Sequence, residues 1–127
     1  MTMQIRHELQ KISSPVHTST SEGKPTFNKE FLLSAECVVF SGHFPHHPVL
    51  PAVAQVLMAE ITVSEAIKKD FCLSTLTQAK FMQAVPPNST VLCSVLLHTE
   101  DQWDCLLTIG KSPVARFRMK GIRHEKA

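Results

Sequence analysis

The sequence lacks a strong charge bias and long hydrophobic runs, and both absences narrow what the protein can do. Thirteen Lys and Arg residues stand against eleven Asp and Glu, which leaves a net charge of only +2. A chain so nearly balanced lacks the strongly basic character that nucleic-acid binding usually requires. No apolar run approaches the roughly 20 residues of a membrane span. Neither nucleic acid nor a membrane is therefore an expected partner.

Cysteine is sparse and poorly spaced for cross-linking. The four copies (Cys37, Cys72, Cys93 and Cys105) include no CxxC pair, whereas disulfide frameworks and zinc ribbons are denser. The first ten residues, MTMQIRHELQ, lack the apolar core of a secretory signal. Both features lead us to expect reduced thiols and a cytoplasmic location.

The chain does have enough apolar residues for one folded domain. Of its 127 residues, 43% are hydrophobic, and no linker, repeat or low-complexity tract divides them. Residues 1–127 are therefore expected to form a single domain.

Hydrophobic periodicity predicts one long helix among several strands. Ala52 to Lys69 contains no Gly or Pro and has only a thin polar stripe, which predicts a mostly buried helix after Pro51. Strands are predicted at 3–12, 27–33, 73–85, 90–98, 103–109 and 114–121, with a loop over 13–25. One buried helix among hairpin-linked strands predicts an α+β hot-dog fold, in which a curved antiparallel sheet wraps around the helix.

The segment SGHFPHHPVLP, directly before this helix, contains the residues best suited to chemistry. Three interpretations compete for its histidines. Metal binding through His43, His46 and His47 lacks an acidic or Cys partner at ligand spacing. A purely structural role is the second interpretation. In the third, His43 is a general base, and the free N–H groups of Ala52 and Val53 polarise a carbonyl at the helix start.

Two motifs resemble the signatures of the β-hydroxyacyl-acyl-carrier-protein dehydratases. GHFPHHPVLPAVAQ, from Gly42 to Gln55, resembles their loop and helix start, GHFPxxPxxPGV. AKFMQAVPPNS, from Ala79 to Ser89, resembles their second signature, A-K/R-F-x-x-x-V-x-P-G-D. The motifs occur in the family's order, and the resemblance covers residues 27–122. LPAVAQ is most similar to a dehydratase-like branch associated with aryl polyenes.

The resemblance implies a hot-dog homodimer, or a higher assembly of dimers, whose partner is acyl carrier protein. A 3-hydroxyacyl thioester on phosphopantetheine would enter a tunnel at the dimer interface, and no metal or redox cofactor would be needed. The residue matching His43 removes the α-proton in the family, water leaves, and a trans-2-enoyl thioester remains. The positions expected to contact substrate are Phe44, Pro51, Ala52, Val53, Gln55 and Leu57.

The sequence departs from the family where the leaving hydroxyl should be protonated. The family's acid lies fourteen residues after the histidine, where this chain has Leu57, and Ala52 replaces the glycine of the motif. Glu60 is the candidate replacement, because burial on an apolar helix face favours the protonated form that a general acid needs. Alternatively, Glu60 reaches solvent or pairs with a lysine.

Three functions remain open on the sequence alone. The leading one is a dehydratase (a hydro-lyase in lipid synthesis) with His43 as base and Glu60 as acid. Leu57 favours instead a non-catalytic subunit that binds acyl carrier protein or an active partner. A thioesterase is the third, because the same fold supports that chemistry and Glu60 would again be the available acid. Arg116, Arg118 and Lys120 form a basic row that either docks the acidic carrier or is a solvated strand face.

Overall fold

A computed structural model describes residues 2–40 and 48–125. Two helices, a short 3-10 turn at Val38–Phe40 and six strands follow in the order α1 (Thr2–Lys11), β1 (His17–Ser21), β2 (Lys24–Leu33), α2 (Ala52–Ile67), β3 (Asp70–Phe81), β4 (Ser89–Thr99), β5 (Gln102–Ile109) and β6 (Ser112–His124). All six strands form one antiparallel sheet, in the order β1-β2-β4-β5-β6-β3. The predicted α+β class, with a single sheet around a long helix, is confirmed.

Helix α2 is the buried centre of the fold. It packs against β2 and β4 and also against β3 at the far edge of the sheet, so the sheet curves around it. Its buried residues are Ala54, Gln55, Leu57, Met58, Ala59, Ile61, Thr62, Val63 and Ser64. The prediction for 52–69 is confirmed in type and start. The helix ends slightly earlier, at Ile67, because Lys68 adopts a left-handed conformation (φ 60°).

Strands β4, β5 and β6 form the predicted meander, and their alternation sets the two faces of the sheet. Ala115, Phe117 and Met119 are buried on the face towards α2, as predicted. Strand β3 differs from a simple meander, because it crosses over to pair with β6 rather than with β4. It also spans 70–81 instead of the predicted 73–85.

The N-terminal predictions are wrong, because residues 3–11 belong to α1 rather than to a strand, and Ile12 lies in the turn that follows it. Ile5, Leu9 and Ile12 recur at helical spacing, and all three pack against the core. The predicted loop over 13–25 contains β1 and the first residues of β2. Every residue of β1 is exposed, so the strand is held by backbone pairing with β2 and leaves no apolar pattern in the sequence. None of the described helices is long and apolar enough to cross a membrane.

Candidate active site

The start of α2 leaves two backbone donors without partners. Pro51 is the N-cap, in an extended conformation (φ −64°, ψ 151°) with no side-chain cap. Its carbonyl accepts from the N–H groups of Ala54 and Gln55, at 3.1 and 3.2 Å. The N–H groups of Ala52 and Val53 have no acceptor within the described chain. Because the helix dipole adds to them, these donors can hold a carbonyl oxygen on which negative charge develops.

The structure brings the two sequence motifs together at this helix start. Leu50, at the end of the first motif, donates its N–H to the carbonyl of Val85 in the second, at 2.8 Å. Both side chains are buried in the core. Val53, by contrast, is 59% exposed. The helix start is therefore anchored from within but open at the surface of the single chain.

Gln55 is buried at the helix start, and only one of the two polar atoms of its side-chain amide has a hydrogen-bond partner. Its Nε2 donates to the carbonyl of Leu50 at 3.4 Å. Its Oε1 is enclosed and has no hydrogen-bond partner. A buried acceptor without a donor is uncommon in folded proteins and calls for an explanation, such as a bound water or a functional role. An amide oxygen can accept a hydrogen bond from a hydroxyl or from water, but it cannot supply a proton.

Leu57, at the family's acid position, is only 7% exposed and packs in the hydrophobic core. No proton donor therefore occupies this position.

Glu60 is one turn further along α2 and is held by two other elements. Its Oε1 is 3.2 Å from the guanidinium of Arg6 on α1, and its Oε2 accepts the N–H of Leu73 on β3 at 2.7 Å. The Glu60 side chain is 15% exposed. Glu60 thus joins α1, α2 and β3. Glu60 therefore pairs with a cation, as the alternative interpretation expected, but the cation is Arg6 rather than a lysine. Catalysis by Glu60 stays a prediction.

His43 and Phe44 lie in the segment 41–47, outside the described residues, and so do His46 and His47. The base assigned to His43 and the substrate contact assigned to Phe44 stay predictions. Within residues 2–40 and 48–125, no group of three or more His, Cys, Asp or Glu side chains could hold a metal ion.

Cys93 and Cys105 lie on the sheet face beneath α2, with their sulfur atoms 3.8 Å apart. Burial raises the pKa of the Cys105 thiol well above its ordinary value, and the hydrogen bond with Cys93 adds to the effect. A buried thiol that stays protonated is a poor nucleophile. This pair therefore belongs to the core rather than to the reactive groups.

Solved structures share this architecture at low sequence identity. The dehydratase heterocomplex ApeI:P from Xenorhabdus doucetiae has a TM-score of 0.71 at 19% identity and covers 84% of this chain and 95% of its own. The PaaI protein from the phenylacetic acid degradation operon of E. coli has a TM-score of 0.65 at 12% identity, covering 96% and 92%. The fluoroacetyl-CoA thioesterase FlK has a TM-score of 0.63 at 16% identity, covering 82% and 90%. These likenesses show the fold alone.

Curated proteins offer no match to this chain. A family-level comparison is more specific, because the ApeI-like family, described as ApeI dehydratase, matches residues 18–113. That range contains both motifs, the helix start and Leu57. The chain therefore belongs to the ApeI-like dehydratase family and has a hot-dog fold.

Proposed function

We propose that this protein is a dehydratase subunit that acts on 3-hydroxyacyl thioesters carried by acyl carrier protein, at the start of α2. The observation that carries the proposal is the pair of unpaired N–H groups at Ala52 and Val53. They directly follow the loop that bears His43. Membership of the ApeI-like dehydratase family supports the reaction class.

The chemistry begins with the thioester carbonyl, whose oxygen accepts hydrogen bonds from the N–H groups of Ala52 and Val53. His43 takes the α-proton, and the resulting charge spreads onto that oxygen, where the helix dipole stabilises it. The bond between the β-carbon and its hydroxyl then breaks. The departing oxygen takes a proton and leaves as water, while a double bond forms between the α- and β-carbons. Gln55 Oε1 accepts from the β-hydroxyl before it leaves.

The proton for the leaving hydroxyl has two candidate sources. Glu60 is the candidate within this chain, but both of its oxygens already accept hydrogen bonds, from Arg6 and from Leu73. Leu57 removes the family's own acid. These observations favour the second candidate, in which a different subunit supplies the carboxylate. ApeI:P, described as a dehydratase heterocomplex, is a structural neighbour with two kinds of subunit.

The edge of the sheet at β3 suits pairing with another subunit. Strand β3 is twelve residues long, and within the described structure it pairs only with β6. A long unpaired edge is a liability that proteins usually cover. We therefore propose a dimer, with this chain or a related one, that extends the sheet across β3. Sedimentation should give about twice the chain mass of 14.2 kDa. A monomeric mass for this chain alone would exclude a dimer of two copies and leave only pairing with a related chain.

The decisive assay follows 3-hydroxyacyl thioesters of acyl carrier protein, with enoyl formation measured by mass spectrometry and free thiol release measured separately. We expect enoyl product, and we expect His43→Ala to lower its rate at least ~10²-fold, as for loss of one acid–base group. His46→Ala, in the same loop, is the matched control and should retain the rate. Thiol release without enoyl product would make the protein a thioesterase instead.

The source of the acid is tested by putting a carboxyl back at the family position. Leu57→Glu and Leu57→Gln have nearly the same shape, but only the first can donate a proton. If this chain lacks its own acid, Leu57→Glu should turn over at least ~10-fold faster than Leu57→Gln. A second outcome would identify Glu60 as the acid. In that case the wild type alone is fully active, Glu60→Gln abolishes the activity, and the matched variant Glu65→Gln keeps it. A silent wild type that still binds the carrier would be a partner subunit.

A further inference from the structure

The face of the sheet that points away from α2 carries a groove that the proposed reaction does not use. Its volume is about 820 Å³. Two neighbouring rows of cross-strand partners line it, and residues directly opposite in an antiparallel sheet share a face. The first row is Thr26, Leu96, Asp104 and Arg118, and the second is Asn28, Ser94, Leu106 and Arg116. The groove therefore runs across the strands.

One end of the groove, on β1, β2 and β4, presents hydroxyl groups held in fixed positions. Asn28 is buried there and organises them. Its Nδ2 donates to Ser19 Oγ at 2.9 Å, and its Oδ1 accepts from Ser94 Oγ at 2.7 Å. Ser19 keeps its own proton to donate, and Ser94 keeps lone pairs that accept. This end is therefore arranged for the hydroxyl or amide groups of a ligand.

The other end, on β6 and β3, is cationic. Arg118 is neutralised by Asp104, with Nε and Oδ1 2.7 Å apart. The side chain of Arg116 forms no ion pair or hydrogen bond within the described chain, and neither does the side chain of its register partner Lys80. Gln78 lines the groove beside them at a β-bulge, with a left-handed φ of 53° that redirects its side chain.

The middle of the groove is apolar, because Leu96 and Leu106 lie between the two ends. Three strand spacings separate β2 from β6, which is about 14 Å. The groove volume falls within the range of small-molecule sites. A ligand that fits must therefore be elongated, with its charge and its hydroxyl groups at opposite ends.

We infer that this groove binds an elongated organic anion. Its carboxylate or phosphate contacts Arg116, an apolar middle section lies over the two leucines, and its hydroxyl groups contact Ser19 and Ser94. Only Arg116 of the basic row predicted from sequence serves this purpose. Arg118 is paired with Asp104, and Lys120 lies 3.9 Å from Asp101. The site lies on the opposite face of the sheet from the proposed thioester site and does not depend on it.

The test uses pantothenate as the probe, because it carries hydroxyl groups at one end and a carboxylate at the other. Panthenol is the matched neutral probe, in which an alcohol replaces the carboxylate. Titration of isotope-labelled wild-type protein should shift the backbone amide signals of residues 94–96, 104–106 and 116–118 saturably with pantothenate. Panthenol should bind at least ~10-fold more weakly, since it loses the charge-assisted hydrogen bond.

Variants distinguish specific binding in the groove from a general attraction of anions to the basic strand face. Arg116→Gln should lower the affinity for pantothenate at least ~10-fold and remove its advantage over panthenol. Lys120→Gln makes the same change of charge on the same strand face, outside the groove lining, and should leave the affinity unchanged. Ser19→Ala should weaken both probes about equally. The inference fails if neither probe gives saturable shifts, if both bind equally, or if Lys120→Gln has the effect of Arg116→Gln.

Discussion

The two ends of α2 differ in how completely their polar groups are satisfied. From the middle of α2 to its C-terminal end, Glu60 and Glu65 have partners outside the helix, and Ser64 Oγ accepts the N–H of Phe71 at 3.0 Å. At the N-terminal end, the N–H groups of Ala52 and Val53 have no acceptor in the described part of the chain, and Gln55 Oε1 is enclosed without a donor. The polar groups towards the C-terminal end are bonded to the rest of the fold, whereas those at the N-terminal end can still form hydrogen bonds.

This difference indicates how one helix serves both stability and function. A buried polar group with its partners stabilises the fold, whereas one without partners costs free energy unless a ligand supplies the missing bond. The N-terminal end is therefore where a substrate gains most from binding. Substitutions at the two ends should accordingly affect different quantities, activity at the first and unfolding at the second.

The largest effect is expected from removing one donor at the N-terminal end. Ala52→Pro deletes the N–H of Ala52, and proline is well tolerated at the first position of a helix. We expect the dehydration rate to fall at least ~10²-fold, the scale for loss of one oxyanion donor, with the free energy of unfolding changed by less than ~1 kcal/mol. Steady-state kinetics and urea unfolding measure the two quantities. Ala52→Gly keeps the N–H and should stay active. Equal losses of dehydration rate in the two variants would contradict the role of the Ala52 N–H as a donor.

The next effect is on stability, at the C-terminal end. Lys29 is buried, with a side chain 4% exposed, and its Nζ is 2.5 Å from Glu65 Oε1. Glu65→Ala leaves that charge without its counter-ion, which should lower the free energy of unfolding by ~2–3 kcal/mol. This is less than for a fully buried pair, because the Glu65 side chain is 42% exposed. Adding Lys29→Met should recover part of the loss in urea unfolding. No recovery would mean that the pair itself contributes little.

A smaller loss is expected for the ion pair between Arg6 and Glu60. Both side chains are partly exposed, so Glu60→Gln should lower the free energy of unfolding by only ~1 kcal/mol. If another subunit supplies the acid, the dehydration rate of the assembled enzyme should change less than ~10-fold. A fall of ~10²-fold at unchanged stability would place Glu60 among the catalytic residues and remove the distinction between the two ends of α2.

The smallest change in stability is expected at Gln55. Gln55→Leu removes an unsatisfied buried oxygen together with one long hydrogen bond. These effects oppose each other, so the free energy of unfolding should change by less than ~1 kcal/mol. The dehydration rate should fall about 10-fold through loss of one hydrogen bond to the reacting hydroxyl. Thr62→Val, which removes a satisfied polar group on the same helix, should leave the rate unchanged.

The predictions from sequence succeeded where a segment buries one face in the core, and failed where it does not show that pattern. Helix α2 and strands β4 to β6 have strong periodicity, because each buries one face in the core, and their types are confirmed. The error at 3–12 arose because Ile5, Leu9 and Ile12 fit a helix while their neighbours imitate alternation. Strand β1 is exposed and carries no periodic signal. The motif that begins at Gly42 nevertheless placed the helix start and Ala52 correctly, since proline chemistry is local.

The partners of Glu60 were beyond a reading of sequence. Its apolar neighbours on the helix suggested a buried carboxyl, but Arg6 is 54 positions away and lies on an element predicted as a strand. The groove on the outer face was equally hidden, because its lining residues come from all six strands. Arg116 and Arg118 look equivalent along the chain, and only Asp104 distinguishes them.

The sequence by itself determined the features that depend on neighbouring residues: a helix beginning after Pro51, the meander of β4 to β6, the family motifs, and the absence of the family's acid at Leu57. Tertiary structure alone decided which polar groups find partners. Hydrogen bonds and ion pairs act over a few ångströms, and the groups they join here are separated by many positions along the chain. The unsatisfied Oε1 of Gln55, the engaged carboxylate of Glu60 and the uncompensated charge of Arg116 are all consequences of that packing.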